Sequence, residues 1–226
     1  MSEESKRGRF VPRHLDPASR LGEILFGLIM VLSVTLTAGL SVAEGASGVH
    51  QLLLAALGCN VAWGIIDGIM YVMNCMTVRA EKANIIEAIQ RAPDAGTALA
   101  IVRDEIEPRF ETLTGPEHRE ALCRSIVGYL AQSQAPPRTA VTKEDLYGAL
   151  SCFLLVFVSC LPAAVPFFVF SEPTLALHVS NGILIAMLFI VGHQWAQYVH
   201  TNRVLAGLVM VAIGLALVGV AILLGG

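Results

Sequence analysis

Residues 52–78 read LLLAALGCNVAWGIIDGIMYVMNCMTV. As a helix rising about 1.5 Å per residue, the run is long enough to cross about 30 Å of hydrocarbon. Its one charged side chain, Asp67, sits near the middle. A carboxylate at that depth costs roughly 2.5–3.5 kcal/mol unless it faces a partner or a watery cavity. Asn60 and Asn74 stand seven residues to either side, so the three share one helix face, and Met70 and Tyr71 follow one turn on. A membrane helix with a polar stripe, an acid and thioethers reads as the wall of an ion path. The plainer alternative is that the methionines pack against lipid or core and Asp67 hydrogen-bonds a neighbouring helix.

Four further apolar runs of spanning length occupy 21–42, 146–170, 175–199 and 204–224. A hydrophobic content of 55% against 15% charged residues, with a mean hydropathy of +0.66, belongs to the integral membrane class. The expected fold is therefore all-α: a polytopic membrane protein with five transmembrane helices and a cytoplasmic helical insert between the second and third. The segments are a cytoplasmic tail (1–20), helices 1 and 2 (21–78), the insert (79–145) and helices 3 to 5 (146–226). The first run follows a polar tail and is too long for a signal core, so it reads as a retained anchor rather than a cleaved peptide.

All 15 Lys and Arg residues lie in the tail, in the central segment or at Arg203 between the last two runs. By the positive-inside rule the N-terminus is inside and the C-terminus outside, in a bacterial cytoplasmic membrane. An odd number of spans excludes a simple inverted duplication. Five helices alone make a cramped pathway, so a homodimer in the lipid bilayer is expected. The five cysteines fall in spans or in the central segment, which implies no structural disulfide. No P-loop, nucleophile elbow, zincin helix or dinucleotide fingerprint occurs. Neither catalysis nor a nucleic-acid partner is expected.

The insert reads as three helical pieces. Residues 78–91 extend the second span, 93–96 break it, and 97–110 form a second helix. Thr114-Gly-Pro-Glu117 has the form of a capping box for a third helix running to about Ala131. Prolines 136 and 137 mark a linker, and Thr142-Lys-Glu-Asp145 caps the third span.

A carboxylate with a thioether suits a borderline divalent ion such as Fe²⁺ better than Mg²⁺ or Ca²⁺, which take oxygen alone. Asp67, Met70 and Asn74 are the candidate metal residues of the second span. The first span offers Glu23, Met30 and Thr37 at seven-residue intervals, a stripe able to face Asp67 across the hairpin; an interfacial Glu23 is the plainer reading. In the insert Asp104, Glu107 and Glu111 share a face and are candidates to collect metal, although a solvated helical surface is the plainer account of any single one. His193, Gln197 and His200 form a trio on the fourth span that is able to ligate a metal or relay protons. Ser151, Cys152, Ser159 and Cys160, with Pro162 and Pro166, read as close packing and a bend in the third.

Several stretches carry a resemblance: Phe26-Gly27 with Thr37-Ala38-Gly39, Met70 running to Thr77-Val78-Arg79, Gly148-Ala149-Leu150-Ser151 into Leu161-Pro162, and Gly207 onward. The pattern resembles the vacuolar iron transporter (VIT) family. That resemblance implies five spans, a helical metal-binding insert, a dimer, and exchange of Fe²⁺ or Mn²⁺ for protons, with the family's methionine falling on Met70. The chain is a divergent member on this reading. The family's first-span Asp-Gly has no counterpart in Leu28-Ile29-Met30-Val31, its second-span Glu falls on Asn74, and the insert is poorer in Glu. Asp67 stands one turn from the family position and is able to restore the missing charge.

Two functions follow. One is a divalent metal transporter exporting Fe²⁺ or Mn²⁺ from the cytoplasm, with the ion as cargo and no resident cofactor. The other is a non-transporting membrane sensor or scaffold whose insert binds a cytoplasmic partner.

Overall fold

A computed structural model describes residues 15–37, 46–110 and 115–223, except the side chains of 37, 46, 106–110, 221 and 222. All regular structure among them is helical. In chain order the helices are α1 (Pro17–Thr37), α2 (Ala46–Gln90), α3 (Ala95–Phe110), α4 (Pro116–Leu130), α5 (Lys143–Ala164), α6 (Pro166–Val169), α7 (Pro173–Val199) and α8 (Arg203–Leu223). Five of them, α1, α2, α5, α7 and α8, are long and apolar enough to cross a membrane. The chain divides into two compact units, one of residues 1–71 with 143–226 and one of residues 72–142. The long helix α2 contributes to both.

In the larger unit α1 occupies the centre and packs on α5, α7 and α8. Its Leu28, Val31 and Leu32 meet Ala56 of α2, Cys160 and Ala163 of α5, Leu184, Leu188 and Val191 of α7, and Val218 of α8. Between apolar helices in lipid the hydrophobic drive is weak, so close van der Waals contact and buried hydrogen bonds hold the bundle. Both are present. Gly192 of α7 lets α8 approach until a Cβ there would lie 2.5 Å from the Ala206 carbonyl oxygen. Thr35 Oγ1 of α1 donates to Asn181 Oδ1 of α7 at 2.6 Å, and the wholly buried Ser180 hydroxyl donates to the Ala163 carbonyl at 2.7 Å. That carbonyl belongs to the last turn of α5, where the helix has no donor of its own to offer.

The helix ends follow local chemistry. Asp16 caps α1, accepting from the backbone N–H groups of Ala18 and Ser19. Pro162 lies inside α5, and the helix ends two residues later before Pro166 opens the short α6. Helix α7 ends at His200, whose φ of 53° is left-handed, and Asn202 Oδ1 then accepts from Val204 and Leu205 to start α8.

In the smaller unit Ile89 of α2, Ala98 and Val102 of α3 and Cys123 of α4 form a separate core. Asp94 caps α3, its carboxylate accepting from the Thr97 N–H at 2.8 Å and from the Thr97 hydroxyl at 3.0 Å. Helix α4 starts from Gly115, which has no side-chain cap, and Thr114 of the expected capping box lies outside the described residues. Helix α2 begins at Ala46, ahead of the apolar run that starts at Leu52. The break at 93–96 and the single helix running from the second span to Gln90 agree with the sequence reading.

Two consequences are measurable. Thr35→Val should destabilise the bundle by about 0.5–1.5 kcal/mol in detergent unfolding, because the half-buried Asn181 acceptor loses the donor supplied by buried Thr35. The Thr97 bonds hold the Asp94 carboxyl below its ordinary value of 3.8. Their contribution is complete above that value and is lost as pH falls through the lowered one. Amide exchange at Thr97 and Ala98 should therefore accelerate in acid, and Asp94→Ala should give that fast exchange at neutral pH.

Candidate functional site

Helices α1 and α2 pair antiparallel, and their register can be read from contacts that run in opposite chain directions. Glu23 faces Asp67 within hydrogen-bonding reach. One turn along, the rings of Phe26 and Trp63 meet edge to face at 5.3 Å. Then Gly27 meets Asn60. The seven-residue stripes of the two helices thus bring their acids to the same level. Helix α5 closes the third side. Gly148 lies so close to the Tyr71 ring that any Cβ would overlap it, and this approach carries Cys152, one turn further on, up to Glu23, where its thiol hydrogen-bonds the carboxyl.

Three helices therefore contribute a carboxyl, a carboxyl and a thiol to one level of the bundle. Cys152 is 1% exposed, and Asp67 Oδ2 is buried with no hydrogen-bond partner. Glu23 and Asp67 are both half-buried, and the repulsion between two carboxylates side by side is relieved by a proton or a cation held between them. The chemistry available is thus exclusive occupancy by a proton or by a positive ion. Cys152 is the site residue that sequence reasoning passed over as packing. Its signal was its spacing, four residues after Gly148 and seven before Ser159.

The other candidate metal residues are distributed differently. Met30 is half-buried on α1, and Asn74 is exposed on α2. Met70 is 59% exposed, because the inward position of that turn is taken by Tyr71, 100° away around the helix. Glu107 lies within α3 with its side chain outside the described residues, and Glu111 lies outside them altogether. Among the described residues no group of three or more His, Cys, Asp or Glu has metal-holding geometry. The histidine trio of the fourth span is not assembled: His193 lies against the Phe189 ring, Gln197 donates to Gln194, and His200 has left the helix in its left-handed cap.

The smaller unit offers a second concavity, a groove of about 520 Å³ lined by Val78, Glu81, Ile85, Ile86, Glu105 and Leu130 among others. Much of the charge nearby is internally matched. Arg103 and Arg124 both pair with Glu120, and their hydrogen bonds, that of Arg103 foremost, hold its carboxyl below the ordinary value. Arg91 and Arg138 share Glu87 at 3.3 and 2.8 Å. Such exposed pairs contribute little each and serve mainly to set the surface of the unit.

Compared with known proteins, the chain matches no family model and no curated sequence.

The meeting of Glu23 and Asp67 has a thermodynamic signature. The stability changes from Glu23→Gln and Asp67→Asn should be non-additive by about 0.5–3 kcal/mol in a double-mutant cycle, since either change removes the same interaction between the two carboxyls. Additive effects in detergent unfolding would mean that the two carboxyls do not interact.

Proposed function

We propose that the chain is a membrane carrier that exports a divalent metal ion, Fe²⁺ or Mn²⁺, from the cytoplasm in exchange for protons, with Glu23 and Asp67 as the station inside the bundle. The observation that carries this reading is the meeting of two half-buried carboxyls from different membrane-length helices at one level of the bundle. Acids in such helices are expensive and are characteristic of ion paths. Exclusive occupancy by a proton or a cation is the chemistry that exchange requires. The neighbouring Cys152 thiol adds a soft donor type suited to borderline divalent ions. Asp67 and Glu23 supply the acids that the VIT resemblance lacks at its own positions. Met70, Met30 and Asn74, and the carboxylates Glu107 and Glu111 as collectors of metal, have supporting roles on this reading.

The distribution of basic residues favours a cytoplasmic N-terminus and an outward C-terminus in a bacterial cytoplasmic membrane. Gly58 has open space around it, and Leu54, Ile65, Ile66 and Ile69 are exposed on the same helix, the side available to a second copy in a homodimer. The alternative reading, a non-transporting sensor or scaffold, draws on the groove of the smaller unit as a partner site.

The deciding experiment is Fe²⁺ and Mn²⁺ uptake into vesicles of purified protein with an imposed pH gradient. Wild type should transport. Asp67→Asn and Glu23→Gln should lose about tenfold or more of the flux, as expected when one charged ligand worth over about 1.4 kcal/mol is removed. Undiminished flux in either variant would sink the assignment. No flux from wild type in either gradient direction would leave the sensor or scaffold.

A further inference from the structure

One turn from the acid pair, toward the end of the bundle where α5 begins, an aromatic ring fills the gap between two helices. Tyr71 lies four residues after Asp67 on the same face of α2, and its ring and hydroxyl stand against the backbone of Gly148. Gly148 lies four residues before Cys152, about 6 Å along α5. On its other side, about 4.5 Å away and on the same face, is Asp145 in the first turn of α5. Asp145 is 6% exposed, and Gly148 and Cys152 are buried, so this face of α5 points into the bundle.

The Tyr71 ring therefore stands at a level between a buried acid, Asp145, and the cluster of Glu23, Asp67 and Cys152. Close packing alone does not call for it. Helices that approach closely in lipid do so through small residues, whereas here a bare backbone is matched to one of the bulkiest side chains. A glycine inside a helix is destabilising relative to alanine, and it is this ring that requires one. Tyr71 is also only half-buried, so a rotation about its χ1 has open space to carry the ring into. One turn to the other side of the pair Phe26 meets Trp63, so aromatic contacts stand next to the acids in both directions along the bundle.

We propose that Tyr71 is the gate to the acid pair: seated on Gly148, its ring closes the passage between Asp145 and the Glu23–Asp67–Cys152 cluster, and the divalent ion reaches the pair when the ring swings aside. The inference rests on the transport reading above and adds to it the side of entry and the residue that controls it.

The test reads the Cys152 thiol, which lies one turn behind the ring and is 1% exposed. Full-length protein in oriented vesicles is treated, from one face at a time, with a membrane-impermeant methanethiosulfonate that carries a trimethylammonium group. Modification of each cysteine is read by mass spectrometry. Tyr71→Ala removes the ring; Gly148→Ala puts a methyl group where the ring now sits, and decides the matter should Tyr71→Ala fail to fold. Each should raise the rate of Cys152 labelling about tenfold or more from the face where α5 begins, while Tyr71→Phe keeps the wild-type rate. Cys160, about two turns further along α5 and 2% exposed, should stay protected throughout, which separates an opened gate from a loosened bundle. Unchanged Cys152 labelling in the folded variants, labelling from the opposite face only, or parallel labelling of Cys160 would each overturn the gate and leave the transport reading standing. Mn²⁺ flux into the same vesicles tests that reading separately: a wild type that moves no Mn²⁺ would remove it, and the gate with it.

Discussion

The bundle is organised around two half-buried acids that meet between membrane-length helices. Glu23 and Asp67 are held at one level only because three helices approach unusually closely there. Tyr71 against Gly148 sets the distance between α2 and α5, and Phe26 against Trp63 sets the register of α1 on α2. Helix α1 then has to be central, since it carries an acid on one face and the apolar contacts Leu28, Val31 and Leu32 on another. The remaining spans α7 and α8 complete the enclosure of that apolar face. With lipid as apolar as the side chains themselves, small residues and buried polar bonds must supply what hydrophobic burial supplies in water. Thr35 to Asn181 and Ser180 to Ala163 are bonds of that kind.

Much of this was legible in the sequence, and for a specific reason. Apolar length marks a span almost without regard to context, because the backbone has no alternative to a helix in hydrocarbon. Seven-residue spacing marks a face. Together they located five helices and gave Glu23 and Asp67 as facing residues. The continuation of the second span to Gln90 was visible in its unbroken helical pattern up to Pro93.

What escaped was decided by rotation and by close approach, neither of which spacing alone resolves. Met70 and Tyr71 are adjacent in sequence, yet Tyr71 faces α5 and Met70 faces outward. Cys152 looked like one of several small packing residues until Gly148 drew α5 against α2. The histidine trio relied on a helix persisting through His200, whereas the chain turns left-handed there so that Asn202 can cap the next helix. At α4 the described start is Gly115, with a proline suited to the first turn.

The polar atoms of the larger unit also sort themselves by whether packing can account for them. Ser151, Ser159 and Thr35 return their protons to carbonyls on their own helices or to a neighbour, which satisfies them at little cost. Asp67 Oδ2 and Asn60 Oδ1 do not fit that account, although both lie on the same stripe of α2. A stability-optimised bundle would have replaced either with an apolar residue of equal volume. Proteins carry such unmatched groups mainly where function needs them, because mutation to a more stable residue is readily available. The two oxygens are acceptors for which the packing supplies no donor. The stripe that first marked α2 as unusual is thus also the part of the molecule that folding alone explains least.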